Sequence, residues 1–83
     1  MATLIKSDGT QQVVDNTSLK ALQELVGGSI QIVQTNDGRR LICNEEGKIL
    51  GLPKNQEATK LYAFGTYDHI CGDAVVCDVN EIN

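Results

Sequence analysis

The chain has 83 residues, 7 Lys and Arg against 11 Asp and Glu, and a net charge of −4. That balance excludes a general duplex-DNA binder, which needs many cations to neutralise phosphates, and no apolar run approaches the ~18 residues of a membrane span. A chain this short buries only roughly 60% of its unfolded surface, so one thin aliphatic core is expected, with homo-oligomerisation as a further source of burial.

Residues 2–6, ATLIK, and 11–14, QQVV, read as two strands joined by SDGT. Asp8-Gly9 is the pair favoured by a two-residue type I′ hairpin, where both central positions need positive φ. The stretch NTSLKALQELVGG then places Leu19, Leu22, Leu25 and Val26 on one helical face. Ser18 or Thr17 can cap its start, and Gly27 or Gly28 its left-handed end.

The hairpin pattern returns in SIQIVQT (29–35), Asn36-Asp37-Gly38 and RRLIC (39–43). Glu46-Gly47 marks another turn, after which KIL (48–50) can pair back on the sheet. Gly51, Leu52 and Pro53 end that strand. Asn55 is a good N-cap for a second helix, QEATKLYAF, with Ala58, Leu61 and Tyr62 on one face and Gly65 as its stop. Asp68 to Val79 contains the last strand, most clearly DAVVCDV (73–79) after Gly72-Asp73, and NEIN (80–83) reads as a frayed tail. The expected fold is α+β: a mostly antiparallel sheet of hairpins with two short helices, order β-β-α-β-β-β-α-β, in one domain over 1–83.

Charge is uneven. Residues 39–60 hold Arg39, Arg40, Lys48, Lys54 and Lys60 against three Glu, whereas residues 61–83 hold four acids and no Lys or Arg. The basic segment coincides with the start of the second helix, whose free N–H groups attract anions. Arg39, Arg40 and Lys54 are therefore candidates to meet a phosphate, Asn55 and Thr59 to hydrogen-bond, and Tyr62 or Tyr67 to stack on a ring. Asn44, in the preceding turn, joins this set. The same residues are also what a capped helix with solvated lysines would show.

Other chemistry is weaker. Cys43, His69, Cys71 and Cys77 lack the close ligand pairs of a structural zinc site, so neither metal nor cofactor is expected. A Cys71–His69 pair shows no oxyanion hole or orienting third group, and no phosphate-binding glycine motif occurs. No enzyme activity is expected. Three Cys and no apolar leader suit free thiols in a reducing cytoplasm.

NEEGKILGLPKNQEATKLY and DHICGDAVVCD, with LKALQELVGGSIQIV upstream, resemble the domain of unknown function 3846 family, common in phage and mobile-element genomes. The likeness covers roughly residues 1–79 and is sharpest at Asn44 to Gly47, Pro53-x-Asn55, Ala58-Thr59 and Gly72-Asp73. It implies no catalytic residues. Its setting implies a small phage-type accessory protein in the host cytoplasm that sequesters a small anionic, nucleotide-like immune signal as an anti-defence sponge. The alternative is a protein-interaction module that blocks a host protein through a sheet edge or through Asp68, Asp73, Asp78 and Glu81.

Overall fold

The structure, a computed structural model, describes residues 2–78. Strands β1 (Ala2–Ile5) and β2 (Gln11–Val14) form the first hairpin, followed by helix α1 (Leu19–Val26). Strands β3 (Ile30–Gln34) and β4 (Arg40–Asn44) form the second. A short strand β5 (Lys54–Asn55) leads into α2 (Gln56–Leu61), and β6 (Ile70–Cys71) precedes β7 (Ala74–Cys77). The main sheet is antiparallel with order β2-β1-β7-β4-β3, and β5 pairs with β6 in a separate ribbon. The α+β class and the antiparallel hairpins agree with the sequence.

Both hairpins use the same device, and it differs from the type I′ turn expected. Lys6 N–H bonds to Thr10 O, and Gly9 N–H to Lys6 O; Thr35 N–H bonds to Arg39 O, and Gly38 N–H to Thr35 O. Each loop is thus three residues, with only its Gly at positive φ (Gly9 93°, Gly38 86°). The Asp before each Gly caps the turn. Asp8 accepts from the Thr10 N–H and hydroxyl, and Asp37 accepts from Thr35 Oγ1 and Arg39 Nε. A side-chain cap of this kind stabilises a type I turn closed by a left-handed Gly.

Helix α1 starts at the Ser18 cap, whose side chain accepts from Ala21 N–H, and ends at Gly27 with φ 83°. Leu22 and Val26 are buried against Ala2, Leu4, Val14, Ile42, Val75 and Cys77, with Leu25 half-buried beside them. Burying each such aliphatic side chain contributes about 1.5–3 kcal/mol. Leu19, at the helix start, stays exposed.

The opposite face of the sheet carries Ile5, Leu41, Cys43, Ala74 and Val76, covered by Ala58 and Ile70. Two expectations fail on this side. Residues 48–50 are not a strand: Leu50 N–H bonds to Glu46 O, Gly51 N–H to Lys48 O and Leu52 N–H to Gly47 O, so residues 45–51 coil into consecutive turns. The strand expected there falls instead at Lys54–Asn55. Helix α2 also stops at Leu61, not near Phe64. Tyr62 is extended because its backbone bridges Thr35, with Asn36 N–H bonding to Leu61 O and Ala63 N–H to Gln34 O. The one strand expected within 68–79 is two, β6 and β7, parted at Gly72 with φ 84°, and residues 79–83, including the tail, lie outside the described residues.

Asn55 joins three segments. Its side chain is fully buried. Nδ2 donates to Ile5 O and Gly72 O, both at 2.9 Å, and Oδ1 accepts from Ala58 N–H at 3.0 Å. Asn55→Ala would take the side-chain donor from Gly72 O and the cap acceptor from a helix N–H inside the protein, and would remove a donor from Ile5 O, which also faces Ala74 in the β1–β7 ladder. A lost cap costs about 0.5–2 kcal/mol and each unpaired buried group about 1–3 kcal/mol, so urea unfolding should show a loss of roughly 3 kcal/mol or more. Asn55→Asp restores the cap acceptor but sets a carboxylate against two carbonyls, and should be no more stable than the Ala variant.

Candidate functional site

A depression of about 290 Å³ lies over β3 and β4 on the α2 side of the sheet. Its floor is Gln31, Val33 and Cys43. One wall is the coiled turn, with Glu45, Gly47, Lys48 and Ile49; the other is Tyr62 and the segment from Asp68 to Cys71.

Several contacts fix these walls. Asn44, nearly buried, donates from Nδ2 to Val26 O at 3.1 Å and accepts Glu46 N–H on Oδ1 at 2.8 Å. It thereby satisfies a carbonyl at the α1 end and starts the coiled turn. Gly47 packs on β6 so closely that a Cβ would stand 2.8 Å from Cys71 O. Any side chain there would push the two walls apart. Lys48 Nζ forms an ion pair with Asp68 Oδ1 between the walls. The ammonium holds the Asp68 carboxyl below its ordinary range, helped by the His69 N–H that bonds to it.

Cys43 differs from an activated thiol. Burial first, then the nearby Asp68 and Cys71, pushes the Cys43 thiol up to about 11. Its Sγ donates to Gln31 O at 3.8 Å. A thiol in this state is protonated at neutral pH and a poor nucleophile. Among the described residues, no group of three or more His, Cys, Asp and Glu is placed to hold a metal ion, and no helix is long and apolar enough to cross a membrane.

The residues singled out in the sequence do not converge on one site, although Thr59 and Tyr62 share a second depression of about 260 Å³ with Asn36 and Lys60. Asn55 and Asn44 are committed to the bonds above. Thr59 Oγ1 donates to Asn55 O and accepts from Ile70 N–H. Arg39 Nε is bound to Asp37 at 2.9 Å, which with Thr35 holds that carboxyl down to about 2. Arg40 pairs in register with Gln34 and Cys77 and by alternation shares the α1 face with Ile42. Lys54 lies in a separate shallow depression with Ser7, Asp8, Gly9, Gln56 and Glu57. The antiparallel register puts Arg40 at the Cys77 end of the sheet and Lys54 beside the turn at the Ala74 end. Tyr67 is 89% exposed. Of the set, Tyr62 and Asn44 border the cleft.

The comparison with known families decides the membership. The family described as Domain of unknown function (DUF3846) matches residues 1–83. The chain belongs to the DUF3846 family. No curated protein and no solved structure matches it.

In this DUF3846 chain the sequence does not bring Lys48, Asp68, Gly47 and His69 together, and the cleft does. Lys48 and Asp68 are twenty positions apart, and local periodicity carries no signal for such a pair. The raised Cys43 pKa does have a testable sign. Folding favours the protonated thiol, so this contribution is complete below about pH 9, the ordinary value, and is lost as pH rises toward 11. Unfolding by urea across that range should show stability falling with pH, and Cys43→Ala should flatten the fall.

Proposed function

We propose that the chain is a non-enzymatic binding protein that holds a small ring-bearing ligand, with no more than one anionic group, in the cleft beside Tyr62. The observation that carries this reading is that Tyr62 and Lys48, the latter paired with Asp68, line one and the same depression. An aromatic face beside a cation matches a ring joined to an acidic group.

Charge and size narrow the ligand. Lys48 is accompanied by Glu45 and Asp68 in the lining, which disfavours a polyphosphate. A volume of about 290 Å³ sits at the low end of the ~300–1,000 Å³ of ligand sites, which suits one ring system. A nucleoside or nucleoside monophosphate fits both limits. The protonated Cys43 thiol supports holding over turnover. Sequestration of a nucleotide-like signal, as the family's setting implies, remains the biological form of this reading, now with one phosphate at most.

Native mass spectrometry of the protein as purified from cells should show a bound mass in the nucleoside range that denaturation releases intact. In titrations with nucleosides, monophosphates and triphosphates, the triphosphates should bind weakest. Tyr62→Ala should weaken binding by roughly tenfold or more, the size of a lost stacking contact. Lys48→Ala should weaken the monophosphate more than the nucleoside, and Lys54→Ala and Arg40→Ala should change neither. Loss of binding in Lys54→Ala with retention in Tyr62→Ala would return the site to the start of α2 and overturn the reading.

One observation favours a second reading, a protein-interaction module. Ile49, Leu50, Phe64 and Tyr67 are large apolar side chains left exposed on the two segments that flank the cleft, Ile49 at 83%. Phe64 stands edge-on to Tyr62, with ring centroids 6.0 Å apart. Exposed aromatic and aliphatic side chains of this kind anchor protein interfaces.

A further inference from the structure

Strand β3 ends the main sheet on one side. Its main-chain polarity follows from two bonds at its ends. Thr35 N–H bonds to Arg39 O, and Glu45 N–H bonds to Ser29 O. Odd-numbered residues of β3 therefore turn their N–H and C=O toward β4, and Ile30 and Ile32 turn theirs outward. Further along, the outer edge is occupied: Gln34 O accepts Ala63 N–H, and Thr35 bridges Tyr62. Ile30 to Val33 thus present an open stretch of edge, and Ile32 is 45% exposed beside it.

We propose that a second copy of this chain pairs antiparallel with this stretch, about a two-fold axis at Gln31. In that register Ile30 lies opposite the partner's Ile32, Ile32 opposite the partner's Ile30, and Gln31 opposite the partner's Gln31. Each Ile pair exchanges two main-chain hydrogen bonds, four in all. The pairing joins two five-stranded sheets into one of ten strands.

Three features select a second copy over a foreign strand. The open stretch is self-complementary, because both outward positions are Ile and a two-fold axis sets like on like. Residues 26–35 carry no charge, so two chains of net charge −4 meet where repulsion is smallest. The strand also lacks the Lys, Pro or bulge with which monomeric proteins protect an edge. The other edge strand differs. By the same alternation β2 turns Gln11 and Val13 outward, so a two-fold pairing sets Gln against Val, and Asp8 and Asp15 flank it. The block at Gln34 fixes the register, since an axis further along would drive the partner strand into Ala63. Gln31 also lines the floor of the cleft, so the partner's Gln31 adds to the same floor. The dimer stands independently of what the cleft binds.

Sedimentation of the full chain over a wide concentration range should show a dimer. Gln31→Lys sets two ammonium groups directly opposite one another and should weaken dimerisation roughly tenfold or more, while far-UV circular dichroism stays that of the parent. Val13→Lys on the other edge should leave the dimer intact. Gln31→Cys, made with Cys43→Ala because Cys43 faces position 31 across the β3–β4 pair, should give an intersubunit disulfide on mild oxidation, because residues facing across a non-hydrogen-bonded pair stand ~4.5 Å apart at Cα, within disulfide reach. A parent that is monomeric throughout, or a dimer that withstands Gln31→Lys, overturns the proposal. If Gln31→Lys fails to fold, the Gln31→Cys cross-link decides alone, and its absence in a dimeric protein overturns the proposal too.

Discussion

The Asn55 side chain is the constraint on which the α2 side of the molecule depends. It holds the end of β1, the turn at Gly72 and the start of α2 with three hydrogen bonds, all away from water. In a low-dielectric interior such a fully satisfied amide is rigid, since each alternative orientation breaks several bonds at once. Asn55 O in turn accepts from Thr59 Oγ1, which accepts from Ile70 N–H. One short chain of polar groups thus positions β6 against α2. The functional consequence is negative for an anion at the helix start: Asn55 and Thr59 have no side-chain donor left for a ligand. The candidate site moves to the other flank of α2, where Tyr62 leaves the helix.

Much of the fold was legible because it is written in local chemistry. Ser18 and Gly27 bound α1, Asp-Gly pairs close both hairpins, and Asn55 caps α2. The errors arose where distant contacts override local preference. Lys48 to Leu50 is apolar enough for a strand, yet Gly47 packs on Cys71 and the residues after it close turns back on Glu46, Gly47 and Lys48. Tyr62 continues a helical pattern, yet its backbone is drawn into a bridge with Thr35. The site was less legible for the same reason. A helix N-cap and an anion site share one signature, and only the partners of Asn55 tell them apart. Charge along the chain also misled: Arg40 and Lys54 lie in one basic segment of sequence but at opposite ends of the sheet.

The cleft exists because its cover is short. Five strands at ~4.8 Å spacing span about 19 Å, and one helix with its side chains is about 10–12 Å across. On one face, α1 lies over the middle strands, with Leu22 and Val26 against Leu4, Ile42 and Val75. On the other, six-residue α2 and the two-residue ribbon cover Ile5, Ala74 and Val76. That leaves β3 and the outer part of β4 roofed only by the coiled turn and the segment after α2. Turns cannot seal a face as a helix does, because they turn main-chain groups toward water rather than an apolar stripe toward the sheet.

The same shortage explains why the cleft, the apolar rim and the open strand edge all occur on one side. A chain of 83 residues has too little material to cover both faces and both edges of a five-stranded sheet. The β2 edge is flanked by Asp8 and Asp15, whereas β3 keeps Ile30 and Ile32 at an uncharged border. Ile49 and Leu50 are exposed in the turn above it. In a protein stabilised by only a few kcal/mol, such uncovered apolar surface lowers solubility and is retained where something covers it. The side of the molecule that the chain does not finish is therefore where both a ligand and a second subunit have room to act.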